Sequence, residues 1–371
     1  MNTSSTASER AGAPRQTARS LRVRLALGFG LMVALLTGAM ILMIGELATG
    51  LARKQIGHHL TRLAIEMRDK LDVGMFERLS EIELLANLDA TLHGPRNPAL
   101  RQAMLEELGR TAPDYSWLGY MDRKGRVQVS LNGLLAGEDV SGRPWFRDAQ
   151  SALYVGDVRE ATLLPPLSSG GREIPRLVVD IALPLRDREG SYGVVAGRVS
   201  WTWAARLREA IESYAQADSP FEMLVVSARR EVLLGPQGLV GTTLELAELS
   251  PAQLRAYDAR LERWPDGVDY LIGTSATRGH ATFPGLGWIV IVRQRADLAF
   301  APVRLLQQRI ALAGLLLALA AIALGWWLAS RVSRPLFRIS AAADEISRGH
   351  RRVAIPSGGD RKSTRLNSSH Q

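Results

Sequence analysis

The chain has 371 residues, 46% of them apolar and 22% charged, an ordinary balance for a folded protein with room for two or three domains. Its formal charge of +9 sits at the ends: residues 1–24 hold five Arg against Glu9, and residues 331–371 hold nine Lys/Arg against Asp344, Glu345 and Asp360. The 32 basic and 33 acidic residues of 25–330 leave −1, which argues against a nucleic-acid-binding face, and the lack of cysteine excludes disulfides and thiolate metal sites.

In chain order, residues 1–24 read as a basic cytoplasmic tail, rich in Ser, Thr and Ala without apolar periodicity. Leu25–Ile44 is uncharged and long enough to cross a bilayer, longer than the apolar region of a cleaved signal peptide. Residues 45–92 follow as a stalk helix, with Ile56, Leu60, Leu63, Met67 and Leu71 recurring at spacings of three and four. It packs on its own domain or on a second subunit. His58 and His59 are adjacent, so a helix points them about 100° apart, and they read as solvated residues and not as a metal pair.

From Tyr115 the texture changes to short alternating runs joined by turn residues. Hairpins are expected at Trp117–Leu131 and Leu177–Trp201, a third over Phe221–Leu234, and a last strand at Trp288–Val292. Trp203–Ala215 and Pro251–Glu262 read as helices, and Ser168–Gly171 and Gly235–Gly241 as loops. Antiparallel hairpins mixed with helices indicate an α+β class, and their recurrence after Ser219 indicates two modules in tandem, 93–215 and 216–300.

Asp180 stands out in its strand. Positions 177, 179, 181, 183 and 185 are all apolar and form one face, while Asp180 shares the other with Val178, Ala182 and Pro184. A carboxylate there calls for a cationic ligand or for a protein partner such as Arg143. Arg143 could grip a carboxylate with two parallel hydrogen bonds, with Trp145 as an apolar wall. Phosphate-binding glycine loops and metalloprotease motifs are absent, and neither catalytic residues, cofactor nor metal is expected.

Residues Ile310–Ser330 form a second uncharged span, with Trp326 and Trp327 at the headgroup level and Arg331, Arg334 and Arg338 beyond. Basic flanks on both spans predict both termini in the cytoplasm and residues 45–309 outside the membrane. After the second span, Leu336, Ile339, Ala343 and Ile346 make a heptad seam.

Several segments carry resemblances. The stalk helix, Tyr115–Asp122, Asp139–Phe146, Tyr154–Asp157, Val179–Pro184, Gly193–Gly197 and Gly285–Trp288, in that order, resemble the double Cache sensor family, whose ectodomains pair two PAS-like modules and usually hold a small ligand in the distal one. Members that bind amino acids use an Arg, a Trp and a following Tyr, then a Tyr and an Asp. The resemblance assigns Arg143, Trp145, Tyr154 and Asp180 to that pattern, with Phe146 in place of the Tyr. Tyr115, Trp117 and Asp157 are further lining candidates. The ligand implied is an amino acid, another carboxylate or an amine.

Pro335, Leu336, Ile339, Ala343, Glu345 and Ile346, with Gly349 and Ile355, resemble the first half of a HAMP relay, a four-helix bundle built by two chains. This implies a homodimeric receptor that signals to a cytoplasmic output, a diguanylate cyclase ahead of a histidine kinase or a chemoreceptor coil. A membrane-anchored binding protein without signalling is the alternative. The stretch Asp360–His370 resembles a translated sequencing-library adapter, which places the native end near Gly359.

Overall fold

The apolar repeat that begins at Ile56 determines how the external part is assembled. In the computed structural model, which describes residues 14–92, 97–160, 177–188, 190–215, 220–245 and 260–347, it lies on one long helix, α1 (Pro14–Thr91). Leu60, Leu63, Met67, Leu71, Met75, Leu79 and Ile82 are all buried, so the apolar face is a core face of the helix's own domain. Residues 1–13, Ser168–Gly171, 251–259, Gly349, Ile355 and the adapter-like stretch lie outside the described residues, as do the side chains from Val332 onward.

Two antiparallel sheets pack on that face, as the α+β reading anticipated. The first contains β1 (Tyr115–Asp122), β2 (Val127–Ser130), β3 (Tyr154–Val155), β4 (Arg159–Glu160), β5 (Leu177–Asp187) and β6 (Gly190–Ser200). Its order is β2-β1-β6-β5-β3, with β4 also paired to β5. The second contains β7 (Glu222–Val226), β8 (Val232–Leu234), β9 (Arg260–Arg263), β10 (Asp269–Ala276) and β11 (Ile289–Arg295), in the order β8-β7-β11-β10-β9. A single buried cluster joins the helix to Leu118, Val179 and Val195 of the first sheet and to Met223, Leu271 and Val290 of the second. The close approach of β10 needs Gly273, since a Cβ there would lie 2.4 Å from the Thr61 backbone nitrogen.

Helices α2 (Pro98–Thr111), α3 (Pro144–Ala149) and α4 (Thr202–Ala215) complete this unit. The α4 helix matches the sequence expectation. One expectation fails within the described residues: Arg260–Arg263 is a strand and not the end of a helix. The turn after Trp264 accounts for it. Asp266 accepts a hydrogen bond from the Val268 N–H, Gly267 takes a φ of 76°, and the chain returns to pair Asp269–Ile272 with Arg260–Arg263.

Thr49–Ala301 form one compact unit, and Met1–Ala48 with Pro302–Gln371 form a second. In that second unit the first part of α1 packs with α6 (Ala301–Ser347), which follows the short α5 (Ala296–Ala299). Gly314 abuts Thr37, where a Cβ would come within 2.0 Å of the threonine methyl group. Leu36 is 70% exposed and Leu317 61%, unlike the core helices of a soluble domain, and both helices are long and apolar enough to cross a membrane. At the far end of this segment the Arg331 guanidinium stacks on the Trp327 ring at 5.1 Å. The six residues of the proposed relay, Pro335 to Ile346, lie on the backbone of the same helix.

Asp72 fastens α1 to the second sheet. It is buried, accepts the Arg278 backbone N–H at 3.0 Å, and leaves its second oxygen without a partner among the described residues. Burial raises its pKa, against the pull of the Arg278 and Gly279 amides and of Arg68. A raised acid contributes stability in full below its ordinary range, and that stability is lost as pH rises through the raised value. Asp72→Asn keeps an acceptor for the amide and removes the charge. Thermal unfolding of the variant across about pH 4 to 7 should therefore lose part of the pH-dependent decline seen in the parent.

Candidate functional site

The side of the first sheet away from α1 is built row by row from its register. Trp117 pairs with Arg198 and Arg198 with Asp180; the next row outward on the same face is Gly119, Ala196, Ala182 and then Tyr154 of β3. Three small residues in line make room for aromatic rings above them: a Cβ at Gly119 would lie 2.6 Å from the Trp117 indole, and Ala182 and Ala196 are buried. Trp117, Trp145, Phe146, Ala182 and Ala196 belong to one buried cluster, with Tyr154 packed against it.

The cover comes from the segment before α3. Asp139 accepts the Ser141 N–H at 2.8 Å, and the Val140 N–H bonds the Gly125 carbonyl, which ties the loop to the β1–β2 turn. Pro144 then opens α3, suited to a first helical position because it has no N–H to satisfy. The helix packs on β5 and β3 and buries Trp145 and Phe146 edge to face, with centroids 6.1 Å apart. Trp145 also approaches Trp117 at 6.2 Å, while the Trp117 N–H is occupied by the Leu134 carbonyl.

Two donors at this cover have no partner among the described residues. The Trp145 indole N–H is fully buried and unbonded, and the half-buried Arg143 guanidinium makes no hydrogen bond or ion pair there. The indole N–H groups of Trp203 and Trp264 are also unbonded. Beside them, however, the stacked arginines are engaged: Arg78 with Asp114, and Arg293 with Glu222.

Asp180 is paired within the protein, and with neither Arg143 nor an empty space. The Arg198 Nε donates to its Oδ1 at 2.8 Å, Arg198 Nη2 reaches Oδ2 at 3.5 Å, and Arg159 donates to Oδ2 as well. Asp180 and Arg198 are only 3% and 6% exposed, so this is an interior ion pair. Tyr154, half-buried nearby, has its phenol pKa raised by burial and by the Asp180 charge. Sequence reasoning missed Arg198 and Arg159. A signal existed for Arg198: it is the only charged residue in the run Gly193–Trp201, and pairing Leu177–Leu185 against Tyr192–Trp201 puts it across from Asp180.

Trp117, Trp145, Phe146 and Tyr154 therefore come together beside Asp180, Arg143 immediately precedes α3 in the chain, and two candidates lie elsewhere. Tyr115 faces α1, where its hydroxyl donates to Glu81 at 2.8 Å. A bulge between Tyr115 and Trp117 reverses the expected alternation and sends the two rings to opposite faces. Asp157 leaves the site in the other direction: its Oδ1 accepts the Trp288 indole N–H at 2.8 Å, with Arg229 3.9 Å from its Oδ2. Trp288 follows Gly285 and Gly287, both at positive φ, and stacks on Trp201 at 4.8 Å. The GlyLeuGlyTrp motif thus makes a junction between the two sheets. A separate groove of about 510 Å³ between α1 and α4 contains Arg78, Asp114 and Arg206, with both arginines paired to Asp114, and none of the motif residues above.

No family model matches the chain, and no curated protein does. Among solved structures it is similar to the ligand-binding domain of Pseudomonas fluorescens chemoreceptor CtaA in complex with L-isoleucine, at 19% identity and TM-score 0.49 over 68% of this chain and 98% of that one. It is similar also to the ligand-binding domain of Pseudomonas aeruginosa PAO1 amino acid chemoreceptor PctC in complex with GABA, at 20% and 0.47 over 64% and 99%. The corresponding domain of PctB from that organism, in complex with L-Arg, gives 22% and 0.48 over 66% and 97%.

The junction makes a measurable claim. Asp157→Ala leaves the Trp288 N–H, on a residue 1% exposed, buried without its acceptor, which should cost about 1–3 kcal/mol in equilibrium unfolding followed by tryptophan fluorescence. Asp157→Asn keeps an acceptor oxygen and should cost less than about 1 kcal/mol.

Proposed function

We propose that this chain is the sensing part of a bacterial inner-membrane receptor, in which a small ligand binds on the first sheet beneath α3 and biases the two membrane-spanning segments. The observation that carries the reading is the Trp145 indole N–H, buried without a partner among the described residues, in the cover that α3 lays over the row Gly119, Ala196 and Ala182. Donors held without acceptors at a buried site are costly unless something supplies the acceptors. A small molecule with a carboxylate supplies one, and the double Cache resemblance assigns further ligand contacts to Arg143 and Tyr154.

The ligand acts on the rest of the chain by favouring one of two arrangements, and shifts the balance only by its difference in affinity for them. The route is short. Tyr154 and Arg159 border the site, and Asp157 between them holds Trp288 of the second sheet, whose strand β11 leads through α5 into α6. In this reading α6 spans the membrane at 310–330, α1 at 25–44, both termini are cytoplasmic, and two copies pair. The seam from Leu336 to Ile346 then serves as the first HAMP helix and drives a cytoplasmic output, with a diguanylate cyclase as the leading candidate.

The chain lacks cysteine, so single Cys residues introduced along Ile310–Ser330 report only themselves. In lipid vesicles, addition of a mixture of acetate, succinate, L-alanine and propylamine should change the rates of disulfide crosslinking between copies at several positions, and Arg143→Ala should abolish the change. Identical patterns with a ligand demonstrably bound would leave a membrane-anchored binding protein that does not signal.

A further inference from the structure

The site assigned above is lined by donors, and its one acidic group is already satisfied. Asp180 receives three N–H···O contacts from Arg198 and Arg159, of the roughly four its lone pairs can take. Two guanidiniums, Arg198 and Arg159, thus accompany this one carboxylate. Asp148 and Asp157 also reach Tyr154 electrostatically, but Asp148, like Glu160 and Asp187, is exposed, where solvent screens it, and Asp157 is engaged by Trp288 and Arg229. An ammonium group brings three donors and no acceptor. Next to Asp180 it would face two guanidiniums of its own sign, in a setting where the nearby interior strengthens the repulsion.

A carboxylate has the opposite requirement. It offers acceptors to Arg143, whose planar fork matches it with two parallel bonds, and to the buried Trp145 N–H. Phe146, where an amino-acid site of the resembled type would have a Tyr, adds no hydroxyl and leaves the cover apolar.

We propose that the distal site takes a small carboxylate anion that carries no ammonium group, and that the Arg198–Asp180 pair is the element that rejects α-amino acids. The proposal rests on the assignment of the ligand site above and narrows it to a chemical class.

Calorimetric titration of the full chain in lipid nanodiscs tests it with probes that differ only in the α-ammonium: acetate against glycine, propionate against L-alanine, succinate against L-aspartate, with propylamine as the cation alone. The expected result is binding of at least one plain acid at least tenfold tighter than its amino acid, no binding of propylamine, and at least tenfold weakening by Arg143→Ala. Tighter binding of the amino acids, again dependent on Arg143, would overturn the anion class and leave the ligand site in place. No binding by any probe would overturn both. Arg198→Gln supplies a second reading by releasing Asp180, and should move the acid-to-amino-acid affinity ratio at least fivefold toward the amino acid. An unchanged ratio in a folded variant would show that the pair is not what excludes the ammonium. Should that variant fail to fold, the parent's matched pairs still decide the class.

Discussion

The buried contact between Asp180 and Arg198 sets the chemistry of the distal face. Two adjacent strands place the residues directly opposite each other, with both side chains more than nine-tenths buried. Taking two charges out of water is expensive, and two hydrogen-bonded contacts recover that cost only while both partners are present; losing one typically costs about 3–5 kcal/mol. Arg159, a third exposed, adds a weaker contact that solvent partly screens. What remains facing α3 is a row of small residues packed beneath Trp117, Trp145 and Phe146, with the Trp145 N–H left unbonded among the described residues.

The single core that joins both sheets to α1 has a mechanical consequence. Interiors packed at this density respond to a local change by switching between packings and not by deforming gradually. Asp157 and Trp288 tie the segment between β3 and β4 to the second sheet, Trp201 meets Trp288 edge to face, and Asp72 and Gly273 hold the second sheet to the helix. The second sheet has its own buried guanidinium, Arg293, but this is stacked 4.0 Å from Trp264 and 4.2 Å from Tyr270 and paired with Glu222. Its corresponding face is filled by the protein.

Much of the fold was legible because it follows from periodicity. The three-and-four spacing from Ile56 to Leu71 gave the buried face of α1, and alternation with turn residues gave the hairpins at 115–131 and 177–201. The candidate site was legible in its cover, Arg143 to Phe146, and in Asp180. Its charge balance was not, because the partners of Asp180 are set by register, and register is settled by turn geometry and pleat together. Tyr115 was misplaced for a related reason: one bulged residue reverses alternation, and no local pattern marks it. Residues 260–262 fit the end of a helix as well as the start of a strand because charged residues such as Arg260 and Glu262 suit either period, and only the turn through Asp266 and Gly267 distinguishes them.

The account depends most on Asp180 and Arg198 acting as one unit, and a double-mutant cycle measures that directly. Asp180→Asn, Arg198→Gln and the double substitution would be compared with the parent chain by equilibrium unfolding in nanodiscs. Each single change leaves one buried charge without its counterpart, and the double change leaves two neutral amides, so the combined loss should fall short of the sum by about 2–3 kcal/mol. Losses that add to within about 0.5 kcal/mol would mean that the residues are independent, and Asp180 would then be free to receive a cationic ligand.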